Sequence, residues 1–157
     1  MRIRIPVSVS DPEAKVTMEP LCPPERHGGM IQDTCVNPSR VGRPYRYCYG
    51  NCIRGPRPCN SVNAVCRVDM TDGSVLMWSD SPNMIPAGPP TFLSRPGADP
   101  EDETDGVLLL DCLAADGCAT FLVLDGRTFA EVARCVLPYR HVCTYNNAWM
   151  WDAAPAT

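Results

Sequence analysis

The chain has 157 residues, 45% of them hydrophobic and 20% charged, a composition that suits one folded domain or a piece of a larger one and argues against disorder. Its formal net charge is −4, and Lys15 is the one lysine among fourteen basic residues, so there is no basic patch and no nucleic-acid partner is expected. The longest apolar run, Val107 to Leu110, is too short to cross a bilayer.

The opening MRIRIPVSVS has only scattered apolar residues and no signal-peptide core. We therefore expect a cytoplasmic protein, or one associated with a plastid or another organelle. Seventeen prolines and eleven glycines cut the rest into short pieces that read as strands. In chain order these are RIRIPVSV, KVTMEP, PYRYCYG, NAVCRVDM, SVLMWSD, TFLSR, GVLLLDCL, ATFLVLDG and EVARCVL. TDG closes a hairpin between the fourth and fifth, AADGC another between GVLLLDCL and ATFLVLDG, and GRTFA a third before EVARCVL. The fold class is all-β. Val107 to Leu110 and Phe121 to Leu124 are apolar on both faces, which predicts a sheet covered on both sides, as in stacked propeller blades. Tyr45, Tyr47 and Tyr49 alternate and are expected to share one face, packed rather than offered to nucleic-acid bases.

Ten cysteines without a signal peptide predict reduced thiols. Cys48, Cys52, Cys59 and Cys66 lack the tight pairs of a zinc ribbon, and Cys112, Cys135 and Cys143 fall in apolar strands, where cysteine acts as a small buried hydrophobe. Five acids crowd between Asp99 and Asp105, but Pro100 and the missing glycine break a calcium-loop pattern. A solvated acidic loop before a buried strand is the expectation. His27 lies in a polar, glycine-bounded loop, and His141 near a strand end reads as structural. No serine stands in a nucleophile elbow, and no phosphate-cradling glycine loop occurs.

Several stretches together resemble a known family. RPGADPEDETDGVLLLDCL followed by TFLVLDGRTFAEVARCVLP, NPSRVGRPYRYCYG (Asn37 to Gly50), and CRVDMTDGSVLMW (Cys66 to Trp78) are similar, in order and spacing, to the C-terminal part of the carotenoid cleavage oxygenases. The resemblance runs from about residue 1 to residue 151, leaving 152–157 as a short tail. It implies the last blades of a seven-bladed β-propeller, hence an incomplete one that needs its N-terminal blades. It also implies a carotenoid or apocarotenoid substrate, an Fe(II) held by four histidines with glutamates hydrogen-bonded to some of them, and peripheral membrane contact through the missing parts. The family reaction adds O2 across a polyene double bond to give two carbonyl products.

The match departs from the family pattern where the metal is concerned. The fourth iron histidine corresponds to Asn146, with Trp149 aligned, and an asparagine amide is a poor substitute for imidazole on Fe(II). We expect Asn146 to face the propeller axis, and Asn146→His to be needed for tight iron binding. Two glutamates of the family pattern are also expected to be substituted: Pro89 stands at one position and Gln32 at the other, where a one-residue shift would select Ile31 or Asp33 instead. In a strand, residues five apart face opposite sides, so His141 does not simply replace Asn146. Two functions stay open: the C-terminal fragment of an Fe(II)-dependent oxygenase whose histidines lie elsewhere, or a non-catalytic propeller fragment that binds a partner and has lost the metal site. On either reading this chain alone is not expected to bind iron.

Overall fold

A computed structural model describes residues 2–4, 17–19, 31–55 and 62–142. Among these residues the strands are β1 (Arg2–Arg4), β2 (Thr17–Glu19), β3 (Ile31–Cys35), β4 (Tyr47–Cys52), β5 (Ala64–Asp69), β6 (Val75–Trp78), β7 (Met84–Pro86), β8 (Thr91–Ser94), β9 (Gly106–Ala114), β10 (Cys118–Asp125) and β11 (Glu131–Arg140). All pair antiparallel. β1 and β2 form a ribbon, β3-β4-β5-β6 a four-stranded meander, and β11-β10-β9 a second sheet in which β7 and β8 both pair along the free side of β9.

The hairpins form where the turn chemistry predicts. Between β5 and β6, the Asp69 carboxylate accepts the Thr71 N–H at 2.9 Å, and Gly73 takes a φ of +70° that few other residues tolerate. Asp116 and Asp125 do the same work at the next two turns, accepting from the N–H groups of Cys118 and Arg127 at 2.9 and 3.0 Å.

The two larger sheets stack through one core. Tyr49 and Val65 of the first meet Phe92, Leu108, Leu110, Cys112, Leu122, Leu124 and Phe129 of the second. Tyr49 stacks on Phe92 with ring centroids 5.3 Å apart and on Phe129 at 6.4 Å. Each such side chain, fully buried, contributes about 1.5–3 kcal/mol. The alternate residues of β4 and β5 (Cys52, Ala64, Cys66, Val68) form a second cluster on the far side of the first sheet.

Four expectations need correction. Leu108, Leu110, Leu122 and Leu124 are buried, but Val107 and Leu109 are half-buried and Phe121 is 40% exposed, so the second sheet is fully covered on one face only. Cys135 is exposed rather than buried, because β11 is the last strand of its sheet. Tyr45 precedes β4 and is exposed, whereas Tyr47 and Tyr49 do share the core face.

The acidic run is not a freely solvated loop. Glu103 reaches across to the first sheet and accepts the backbone N–H groups of Arg46 (3.0 and 2.9 Å) and Tyr47 (3.1 Å). Arg40 holds the Pro100 carbonyl and Glu101, Arg95 pairs with Asp105, and Arg127 with Asp102. Asn37 knits the same region: its amide donates to the Glu103 carbonyl, and its oxygen accepts from Ser39 N–H and the Ser94 hydroxyl. From the other end, Arg67 of β5 donates to the carbonyls of Gly126 and Arg127 while lying over the Tyr47 ring. The NPSR and GRPYRY segments are therefore structural, clamping one sheet to the other.

Candidate functional site

The two large sheets are joined at Asn51. This side chain, 2% exposed, leaves β4 and donates from Nδ2 to the Gly88 carbonyl at 2.9 Å, in the link between β7 and β8. The same nitrogen lies 3.3 Å from Asp33 Oδ2, which also accepts from Gln32 Nε2 at 3.2 Å. Gln32 is the register partner of Asn51, and Pro89 follows Gly88 directly. The exposed Gln32 and the half-buried Pro89, the two positions where the sequence led us to expect replaced glutamates, thus lie on either side of one buried amide. Asp33 holds a φ of +53°, uncommon for a residue with a side chain, at a register shift between Gln32 and Cys35. Asn51 Oδ1 is buried without a hydrogen-bond partner.

His141 closes a second polar contact nearby. Its Nε2 lies 2.9 Å from Asp111 Oδ2, with 2% of the imidazole exposed, and its Nδ1 is buried without a partner. The carboxylate fixes the tautomer in which Nε2 carries the proton. The Asp111 backbone carbonyl takes the Ala87 N–H at 2.9 Å, one residue before Gly88. Asp111 of β9 therefore lies beside the link between β7 and β8, while His141 reaches it from the end of β11. Asn146, His27, Cys59 and Cys143 lie outside the described residues.

Among the described residues no group of three or more His, Cys, Asp or Glu could hold a metal ion. The one imidazole present there has its Nε2 committed to Asp111, Pro89 has no side-chain donor or acceptor, and Gln32 spends its amide nitrogen on Asp33. By themselves these residues do not fit Fe(II), which needs several neutral nitrogen ligands. A groove of about 330 Å³ lined by Arg46, Tyr47, Asp99, Glu101, Asp102, Glu103 and Thr104 belongs to the clamp described above. Burial pushes the thiols of Cys35 and Cys112 up to about 12, which leaves them poor nucleophiles and poor metal ligands at neutral pH.

The family model for retinal pigment epithelial membrane protein matches residues 2–149. The chain belongs to this family. Its relatives within the carotenoid oxygenases include the rice carotenoid cleavage dioxygenase 8 homolog B, chloroplastic, 41% identical over 138 residues, which cover 88% of this chain and 23% of the rice protein. The Arabidopsis thaliana carotenoid cleavage dioxygenase 8, chloroplastic, is 34% identical over 95% of this chain and 25% of its own length. Cobalt-substituted Synechocystis apocarotenoid oxygenase superposes with a TM-score of 0.72 at 26% identity, covering 83% of this chain and 26% of that one. The chain thus spans about a quarter of the relatives it matches, and its stacked sheets are blades of an oxygenase β-propeller.

Within the family framework, sequence reasoning missed the part played by Asn51, and the pairing of Asp111 with His141. Asn51 did leave a signal, a polar residue among the buried positions of YCYGNC. Asp111 likewise interrupts GVLLLDCL.

Proposed function

We propose that this chain is the C-terminal portion of a carotenoid or apocarotenoid oxygenase. The family reaction joins O2 to a polyene double bond, breaking both the C=C and the O–O bonds and leaving one oxygen atom on each of two carbonyl products. The observation that carries the reading is the match over residues 2–149 together with the stacked antiparallel sheets. In such an enzyme the iron ligands come from residues outside those described. The described residues supply the framework: the inter-sheet clamp and the contacts of Gln32, Asp33 and Asn51 beside the link between β7 and β8. The chloroplastic relatives support a plastid location.

A second reading, a non-catalytic propeller fragment acting as a binding module, is favoured by Pro89 and Gln32 at the substituted positions. The test is the native product. Mass spectrometry of cell extract is expected to find peptides upstream of Met1 carrying further histidines, and the purified product is expected to convert an apocarotenoid to shorter aldehydes. A product that begins at Met1, holds no iron and leaves the polyene intact would favour the binding module.

A further inference from the structure

We draw no further inference here: the strongest candidate, the exposed apolar surface of Val132, Val136 and Tyr139 along β11 at the edge of the second sheet, carries nothing because no feature of the structure shows what covers it, and Pro138 and the register shifts against β10 blunt that edge for pairing with a second copy.

Discussion

Replacing Glu103 by alanine tests whether the acidic run is a clamp or a solvated loop. The Glu103 side chain is 10% exposed, and its carboxylate serves the backbone N–H groups of Arg46 and Tyr47 where β4 begins. A hydrogen bond to a charged group is worth roughly 1.5–3 kcal/mol. Arg46 is exposed, so water takes over much of its N–H, whereas the Tyr47 N–H is part-buried and is left wanting. The expected loss is about 2–3 kcal/mol, or about 5–10 °C in Tm for a domain of this size. Glu103→Gln retains one acceptor oxygen and should lose about 1 kcal/mol. Asp99→Ala removes one exposed contact to the Glu101 N–H and should stay within about 0.5 kcal/mol of the parent. Thermal melts with and without calcium read all three. Equal Tm values for Glu103→Ala and Asp99→Ala, or a calcium-dependent rise in the parent, would refute the clamp.

Phe92→Ala removes the ring between Tyr49 and the Leu108 layer and should cost about 3–5 kcal/mol, measured by urea unfolding. The Asp102 carboxyl is held down to about 2 by the Thr104 hydroxyl and N–H and by Arg127. Because its folded pKa lies below the unfolded value of about 3.9, its stabilisation is fully present above that value and fades as pH falls toward about 2. The stability gap between the parent and Asp102→Asn, followed by Tm against pH, should therefore close in that window and stay constant above it. Iodoacetamide labelling read by mass spectrometry should, among the described cysteines, modify the exposed Cys135 first and reach Cys35 and Cys112 only on unfolding, since burial raises both thiols to about 12.

Much of the fold was legible because it is local. Asp-Gly turns and period-two alternation mark the hairpins β5–β6 and β9–β10, whose registers follow from the turn. The partnership between Glu103 and the start of β4 was not legible, since it spans more than fifty residues and uses backbone donors that no side-chain pattern reveals. The exposure of Phe121 was missed for a different reason. An apolar strand reads as covered on both faces, whether its cover lies within the chain or beyond it. At the candidate site Gln32 and Pro89 could be singled out from the sequence residue by residue. Their convergence on Asn51 depends on how β4 meets the β7–β8 link, a tertiary fact.

The proposed oxygenase reading rests most directly on these blades serving as a scaffold for an iron site whose ligands lie outside the described residues. The decisive measurement is the iron content of the 157-residue chain, reconstituted anaerobically with Fe(II) and freed of excess metal. The account predicts far less than one iron per chain, with occupancy approaching one only when Asn146→His is joined to the missing blades. One tightly held iron per chain in the unmodified 157-residue protein would contradict it.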